Sequence, residues 1–402
     1  MKKNSEVIYD YAVVGAGING TAIAYFLTQE GKKIALIDKE GIASGGSGAA
    51  GAFISPKFTK QSPLRSLLER AYIFSLEFYH DNFSELIKSS SLCHISTDVT
   101  QNYKIEDFKK TSQLKWSEVS STIERQLQKE TANYAKVFIE NAAVVNAKGM
   151  CDALAKGSDF YHDRIDKIVK TEDFFVLNSI KAKKIIMATG AYEALVQEPY
   201  VSNRGIWGHR VDITTSTELS FSIHQEVSIS KSKRNGDTQN SMLSIGATHD
   251  IHFHPDSGET YNYTKGREEL LDKARKSIAL HDATIVKDYV GLRSGSNDTM
   301  PHLGRFVDSE ATFKKYPNMV NGLKVNSENF VYHDNIYTLN GVGGYGFVLA
   351  PYSAKILCDM LLKNKRLDDT LDVKRFFLRW VKKDGKKYFL KSKQKINNES
   401  GI

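Results

Sequence analysis

The stretch at residues 7–38, VIYDYAVVGAGINGTAIAYFLTQEGKKIALID, decides the fold of this chain. Residues 7–14 predict a short buried strand, residues 21–29 predict a helix that ends at Gly31, and residues 33–37 predict a second strand closed by Asp38. Together they have the length of one compact β-α-β unit, which takes roughly thirty residues. The sequence therefore predicts an α/β fold that begins with a nucleotide-binding unit.

The turn between the first strand and the helix carries the motif GxGxxG at Gly15, Gly17 and Gly20. The first glycine permits a tight turn, the second lets the backbone approach a pyrophosphate, and the third lets the helix pack on the strand. Asp38 ends the second strand, where a carboxylate accepts hydrogen bonds from ribose hydroxyls. The alternative is an accidental glycine turn, but strand, helix and acid in register favour dinucleotide binding.

A second run of small residues, ASGGSGAAGA at residues 43–52, follows the β-α-β unit. An extended flavin cofactor needs a second close approach of the backbone, and small side chains leave amide groups accessible to it. The alternative is a flexible linker. The helical segment that follows and the ATG at residues 188–190 favour the flavin site.

Composition sets the outer limits on function. The chain has 402 residues, of which 41% are hydrophobic and 25% charged, so it is globular with two to three domains and is neither disordered nor collagen-like. The net charge of +8 favours an anionic partner such as nucleic acid. Three widely spaced cysteines predict reduced thiols. No leader and no window near the roughly 18 apolar residues of a membrane span is found, which predicts a cytoplasmic protein without stable membrane insertion.

The middle of the chain is strand-rich and is flanked by nucleotide-binding segments. This arrangement predicts a Rossmann-like FAD-binding domain interleaved with a β-rich substrate domain built from a mixed sheet plus helices. The FAD-binding domain is predicted at residues 1–90, 141–205 and 331–402. The substrate-binding domain is predicted at residues 91–140 and 206–330.

Two local patterns suggest contacts with a substrate. Arg293, in VGLRSGSNDTMPHLG, follows a predicted strand and could grip a carboxylate bidentately, although an ordinary surface ion pair is the alternative. His249, His252 and His254 lie within ATHDIHFHP, but no acidic or cysteine partner completes a metal shell, so no metal is expected. His249 is interpreted as a pocket residue, with a solvent-facing strand position as the alternative.

The segment at residues 374–395 is basic and aromatic, with ten Lys or Arg residues and one acid. It could track a phosphate backbone or lie on an anionic membrane surface. The alternative is an amphipathic helix whose aromatic side chains pack on the body of the protein.

Taken together, the motifs resemble those of a known family. GAGING, the acid after KIALI, ASGGSGAAG, ATG, GLRSGSNDTMPHLG and GVGGYGFVLAP occur in the order seen in D-amino-acid oxidase-like flavoproteins, which include glycine oxidase and sarcosine oxidase. The resemblance runs from about residue 7 to residue 362. Within the family, RGIWGHR at residues 204–210 and SIGATHD at residues 244–250 are similar to the oxidase domain of the bifunctional enzyme that makes methylaminomethyl-uridine in tRNA.

The resemblance implies non-covalent FAD and assigns roles to individual residues. Arg293 would hold the substrate carboxylate, with His249 and Tyr345 as further catalytic residues; relatives often carry an arginine in the loop where this chain has Gly344 and Tyr345. The residues implied in cofactor binding are Gly15, Ala16, Gly17, Ile18, Gly20, Asp38, Lys39, Ala43, Ser44, Gly45, Gly46, Ser47, Ala49, Ala50, Gly51, Ile165, Thr189, Gly190, Arg293, Gly343, Gly344, Tyr345, Gly346 and Phe347.

The resemblance implies an FAD-dependent amine oxidase that removes the carboxymethyl group of carboxymethylaminomethyl-uridine at the tRNA wobble position and leaves aminomethyl-uridine. The basic surface would bind the anticodon region of tRNA. Because GxGxxG begins at residue 15, we expect a separate methyltransferase to act next. The alternatives are an oxidase or dehydrogenase for glycine, sarcosine or D-amino acids, and a tRNA-binding flavoprotein without catalysis.

Overall fold

The computed structural model describes residues 7–192, 195–201, 203–234, 240–250 and 259–388. The strands in this part of the chain are β1 (Ile8–Val14), β2 (Ile34–Asp38), β3 (Phe53–Ile54), β4 (Ile87–Ile95), β5 (Lys136–Val145), β6 (Asp159–His162), β7 (Ile168–Lys170), β8 (Phe175–Leu177), β9 (Ile180–Met187), β10 (Asn203–Thr215), β11 (Ser222–His224), β12 (Ser228–Ile229), β13 (Lys233–Arg234), β14 (Ser241–Gly246), β15 (Thr284–Ser296), β16 (His302–Val307) and β17 (Tyr332–Asn340). The helices are α1 (Ile18–Gln29), α2 (Pro63–Phe83), α3 (Asn102–Thr111), α4 (Ser121–Glu124), α5 (Ala147–Ala155), α6 (Tyr263–Arg275), α7 (Ser309–Lys315), α8 (Gly346–Lys363) and α9 (Lys374–Trp380).

The first sheet is mostly parallel and has the strand order β16-β17-β9-β1-β2-β6, with the β7–β8 hairpin attached to β9. Its central strand β1 is almost continuously apolar and buried, as expected for a parallel strand with both faces covered. Helices α1, α2, α5 and α8 pack on one face, and α7 and α9 pack on the other. The predicted α/β fold is confirmed in this sheet.

The second sheet is mixed and has the order β15-β10-β14-β12-β11-β4-β5-β3, with β13 paired to β14. One apolar cluster joins it to α6 through Leu270 and Ala274, and another joins it to α3 through Ile105 and Phe108. This sheet with its helices is the predicted β-rich partner of the nucleotide-binding unit.

Several predicted elements differ from the structure in their limits or pairing. Helix α1 begins at Ile18 rather than at residue 21, because the chain turns directly from the glycine motif into the helix. The sequence pattern of residues 160–177 predicts paired strands, yet β6 pairs in parallel with β2, and only β7 and β8 form a hairpin. The hydrophobic pattern identifies a strand but does not specify its neighbour.

Strand pairing crosses the predicted domain limits in two places. β16 lies within residues 206–330, yet it pairs antiparallel with β17 in the first sheet, with His302 opposite Asn340. β3 lies within residues 1–90, yet it pairs with β5 in the second sheet. The division into two domains stays a prediction, with these two strands as exceptions to it.

One helix in the described residues, Gly343–Lys363, is long and apolar enough to cross a membrane by length and composition alone. The expectation that no such window exists is therefore wrong by this criterion. Half of the helical window is buried, and Leu349, Ala350 and Leu357 belong to the core shared with α1 and α2. Such burial is typical of a core helix; the cytoplasmic location stays a prediction.

The described part of the basic C-terminal segment packs its aromatic side chains on the body. Phe376 and Phe377 are buried, and Trp380 lies 6.2 Å from Phe377 between ring centroids. Arg375 is buried in an ion pair with Asp298, whereas Arg379, Lys382, Lys383, Lys386 and Lys387 are exposed. The amphipathic alternative thus describes residues 374–388, and residues 389–395 lie outside the described part.

Candidate active site

A cavity of about 1050 Å³ lies between the two sheets. The first sheet contributes the carboxyl ends of β1, β2 and β9, and the second sheet contributes residues of β10, β14 and β15. Ligands of open α/β sheets bind beyond the carboxyl ends of the strands, where the strand order reverses. The cavity therefore occupies the position expected for a nucleotide cofactor.

The β1–α1 turn requires its glycines. Gly15 has φ +103°, and a Cβ atom added there would lie less than 3.0 Å from the carbonyl oxygen of Ala188. A Cβ atom at Gly20 would collide with the carbonyl oxygen of Gly15. Helix α1 has no side-chain cap at Gly17, and the N–H group of Ile18 donates to Ser47 Oγ at 2.9 Å. The positive end of α1 thus faces the cavity, as phosphate binding requires.

Asp38 ties the two glycine-rich loops together. Its Oδ2 atom accepts a hydrogen bond from the backbone N–H of Ala16 at 2.7 Å, and its Oδ1 atom accepts from Glu40 and Gly41 at 2.9 and 3.1 Å. The N–H group of Ala43 donates to the carbonyl oxygen of Ala16 at 2.9 Å. Ser44 Oγ also donates to Oδ1 at 3.4 Å. Oδ1 thus accepts three hydrogen bonds and Oδ2 accepts one, so Oδ2 has a lone-pair position left for a ribose hydroxyl.

The structure brings nearly all of the predicted cofactor-binding residues to this cavity. Ala16 and Ala43 lie in the adjoining loops and Gly20 lies in the first turn of α1, whereas all the others line the cavity, including Lys39, Ile165, Thr189 and residues 343–347. Their individual roles stay predictions.

The residues present fit a flavin dinucleotide. Among the described residues, Asn19 Oδ1 is a buried atom without a hydrogen-bond partner, and Asn19 lines the cavity. The Gly/Ser run passes β15 so closely that a Cβ atom at Gly46 would lie 2.5 Å from the carbonyl oxygen of Leu292. A volume near the upper end for small-molecule sites, roughly 300–1,000 Å³, suits a ligand of dinucleotide size.

Arg293 lies on β15 with its guanidinium directly over Gly208 of β10, where a Cβ atom would leave no room for it. Its Nη1 atom donates to the carbonyl oxygen of Thr248 at 3.1 Å. Among the described residues it forms no ion pair with a carboxylate. Burial lowers the pKa of Arg293, and the nearby Tyr261 and Asp250 oppose that shift.

A hydrogen-bonded network fixes the segment around Thr248, whose carbonyl oxygen accepts the hydrogen bond from Arg293. Thr248 Oγ1 lies 3.0 Å from Tyr261 Oη, and the Tyr261 hydroxyl donates to Asp250 Oδ2 at 3.1 Å. His249 lines the cavity beside Arg293, and burial followed by the positive charge of Arg293 lowers its pKa. The imidazole is therefore uncharged at neutral pH.

Tyr345 lies at the cavity wall in the short turn before α8. Burial raises the pKa of its phenol to about 12, so the hydroxyl keeps its proton at neutral pH. The ammonium group of Lys57 lies 5.3 Å from the centroid of its ring.

Sequence reasoning missed several residues that line the cavity. They lie on strands of the second sheet and on the segment that follows β3. His94 stacks on Phe58 with ring centroids 4.2 Å apart, and His224 Nε2 lies 3.1 Å from Ser55 Oγ. Desolvation lowers the pKa of His94 to about 3 and that of His224 to about 4. Lys57 lies shortly after the Gly/Ser run, beyond β3, and could have been suspected, but no local pattern marks the two histidines.

His252 and His254, for which no metal is expected, lie outside the described residues. Elsewhere, Glu198, Asp308 and His333 are close enough together to hold a metal ion. None of these three lines the cavity, and His333 Nε2 already bonds to Glu198 Oε1 at 2.6 Å.

Comparisons with known proteins agree with this geometry. The family model described as FAD dependent oxidoreductase, DAO, matches residues 10–360. The tRNA 5-methylaminomethyl-2-thiouridine biosynthesis bifunctional protein MnmC of Campylobacter fetus is 23% identical over 395 residues, which cover 93% of this chain and 60% of that protein. Glycine oxidase of Bacillus subtilis is 23% identical over 335 residues, covering 74% of this chain and 84% of the relative. The crystal structure of glycine oxidase from Bacillus cereus superposes with a TM-score of 0.70 at 19% identity, covering 89% and 96% of the two chains.

Proposed function

We propose, from the premise that this chain belongs to the DAO family of FAD-dependent oxidoreductases, that its substrate is a secondary amine bearing a carboxymethyl arm. The amine is that of carboxymethylaminomethyl-uridine at the wobble position of tRNA, and the product is aminomethyl-uridine. The chain spans about 60% of the MnmC protein of Campylobacter fetus, so its substrate is argued from this chain's own residues.

The observation that carries the proposal is the position of Arg293. It is a cavity cation without a carboxylate partner among the described residues, and Gly208 leaves the space that its guanidinium fills. A planar guanidinium binds a carboxylate through two parallel hydrogen bonds, which also fixes the orientation of the attached methylene. Holding the methylene in one orientation relative to the group it reacts with accelerates the reaction.

The reaction balances with water and one two-electron acceptor. FAD, when bound, would supply the two-electron acceptor for the hydride of the methylene C–H bond. The amine nitrogen loses its proton as the C=N bond forms, and the uncharged His249 can accept that proton within the cavity. Addition of water to the C=N bond then releases glyoxylate and the primary amine. Turnover would also require a final electron acceptor such as oxygen.

Two further observations support a tRNA substrate. The net charge is +8, and exposed basic side chains cluster on the C-terminal helix at Arg379, Lys382, Lys383, Lys386 and Lys387. Phosphate contacts by such side chains supply most of the non-specific affinity for nucleic acid. A base in tRNA must leave its stack to enter the cavity. The methylation that follows would belong to a separate methyltransferase activity.

The test is anaerobic reduction of the flavin by tRNA that carries carboxymethylaminomethyl-uridine, with glycine, sarcosine and D-alanine added in parallel reactions. We expect bleaching of the flavin absorbance with the tRNA and release of glyoxylate. Bleaching by the free amino acids alone would contradict the proposal.

A second candidate is an oxidase of free glycine-like amines. It is favoured by glycine oxidase of Bacillus subtilis, of which the aligned segment covers 84%. The same parallel reactions separate the two candidates. The salt dependence of binding adds a second criterion, because a tRNA ligand loses affinity steeply with salt and a free amino acid does not.

A further inference from the structure

Two lysines line the cavity at a place that no step of the proposed reaction uses. Lys57 follows β3 and is half-buried, and Lys104 lies in the first turn of α3. Within the described part of the chain, neither lysine forms an ion pair with a carboxylate. In the part of the chain that the structure describes, the ammonium group of Lys57 lies over the face of the Tyr345 ring, 5.3 Å from its centroid.

The pair is electrostatically unsatisfied. Burial lowers the pKa of Lys57 most, and the positive charge of Lys104 lowers it further. Removing an ammonium group from water is unfavourable unless an opposite charge approaches it. Two like charges that share a cavity wall increase that cost, and an anionic group entering the cavity would remove it.

This cationic place is separate from Arg293. The guanidinium of Arg293 lies over Gly208 and donates to the carbonyl oxygen of Thr248, whereas the ammonium group of Lys57 lies over the Tyr345 ring. The charged and phenolic groups that influence Arg293 are Tyr261 and Asp250, and the charge that influences Lys57 is Lys104. A free amino acid has one carboxylate and needs only one cationic site in the cavity. A nucleotide with a carboxymethyl arm carries two separated anionic groups.

We infer that Lys57 and Lys104 form a phosphate-binding subsite, which holds a phosphodiester group of the RNA substrate while Arg293 holds the carboxylate. The inference rests on the proposed function and extends it, since it makes the substrate a nucleotide rather than a nucleoside or an amino acid. Lysine binds phosphate as a point charge and needs no bidentate geometry.

The first experiment compares carboxymethylaminomethyl-uridine nucleoside with its 3′,5′-bisphosphate as reductants of the holoenzyme. The apparent Kd is taken from the concentration dependence of anaerobic flavin reduction. Lys57→Met should raise the Kd of the bisphosphate about tenfold or more, the loss expected for one hydrogen bond to a charged group. The Kd of the nucleoside should not change.

Lys60→Met is the matched control, because Lys60 lies three residues along the same segment, is exposed and contacts the Tyr103 ring at 4.6 Å. It should leave both Kd values unchanged. An equal loss with nucleoside and bisphosphate in Lys57→Met would assign Lys57 to the carboxylate or the flavin and overturn the inference. So would an unchanged Kd for the bisphosphate.

A second readout does not depend on the substrate. Inorganic phosphate should raise the midpoint of thermal unfolding of the wild-type holoenzyme and of Lys60→Met, and this rise should be lost in Lys57→Met. Retention of the phosphate effect in Lys57→Met would contradict the subsite. If the effect is lost but no nucleoside, nucleotide or tRNA bleaches the flavin, the subsite stands and the proposed function fails.

Discussion

At the scale of single residues, Arg293 has the most exacting position, since its guanidinium fits only because residue 208 is glycine. We predict that Arg293→Ala lowers kcat/KM for flavin reduction by about 100-fold, because truncating one partner of a buried charge pair costs about 2–5 kcal/mol. Rapid mixing under anaerobic conditions measures this change. FAD content should stay at the wild-type level.

Arg204→Ala is the control for that change. Arg204 is exposed on β10, the strand that pairs with β15, and its removal should leave flavin reduction unaltered. Unchanged rates in Arg293→Ala would remove the arginine from the site and favour a flavoprotein that binds tRNA without catalysis.

Gly46 is constrained by space rather than by its backbone angles. A Cβ atom there would lie 2.5 Å from the carbonyl oxygen of Leu292, so Gly46→Ala must push the Gly/Ser loop away from β15. We predict a loss of about 1–3 kcal/mol in the free energy of unfolding, as for other overpacked sites. FAD should also be lost during gel filtration, which the ratio of flavin to protein absorbance reports.

Gly295→Ala provides the comparison. Gly295 lies on β15, the strand that Gly46 approaches, and its added Cβ atom would meet only ordinary contacts of 3.8 and 3.9 Å. It should retain FAD and unfold like the wild type. If both variants behave alike, close approach at Gly46 is not what the cofactor loop requires.

At the scale of elements, α8 contains a proline, which cannot donate a backbone hydrogen bond. A side chain of another helix makes that hydrogen bond instead. Pro351 has no N–H group to bond to the carbonyl oxygen of Phe347, four residues earlier. The hydroxyl of the fully buried Tyr79 on α2 donates to that oxygen at 3.0 Å, and Ser75 Oγ donates to the carbonyl oxygen of Val348 at 2.8 Å. Helix α2 thereby fixes the start of α8, which adjoins the cavity.

We predict that Tyr79→Phe lowers the free energy of unfolding by about 1–3 kcal/mol, because it leaves the carbonyl oxygen of Phe347 buried and unpaired. In a Pro351→Ala background the restored N–H group takes over the bond, so the same change should cost less. Urea denaturation of the four proteins in this cycle gives the coupling energy, about 1 kcal/mol or more. Equal costs in both backgrounds would refute the compensation.

The elements also show where a sequence pattern stops being informative. The glycine motif predicted the turn between β1 and α1, and the Gly/Ser run predicted a second loop at the cofactor site. Both predictions were possible because turn geometry and small side chains act over a few residues. Strand β6 was recognised as a strand, but its pairing with β2 was not, since side-chain periodicity is the same for every possible neighbour.

At the scale of the whole molecule, desolvated histidines make stability depend on pH. Desolvation lowers the pKa of His94 to about 3, of His224 to about 4 and of His302 to about 3. Their pKa in the unfolded chain is about 6.5. The unfolded chain therefore binds more protons between about pH 4 and about pH 6.5, and stability is lost as the pH falls through that window.

We predict a fall in the free energy of unfolding of at most roughly 4 kcal/mol per pH unit, since each of three protons contributes about 1.4 kcal/mol. Urea denaturation across the window measures it. His302→Gln should reduce the slope by about a third, and the exposed His281→Gln should not. A slope unaffected by His302→Gln would contradict the prediction. His333 acts oppositely, because Glu198 raises its pKa and its contribution is lost at higher pH.

The sequence by itself determined the α/β unit, the use of FAD and the glycine-rich loops at the cavity, because backbone turns and small side chains act over a few residues. Only the tertiary structure decided that Arg293 sits over Gly208, that His94 and His224 are desolvated together, and that Lys57 and Lys104 share a cavity wall. These groups come from segments far apart in the chain. Their meeting depends on the order in which strands pair, and each residue's local sequence is compatible with many such orders.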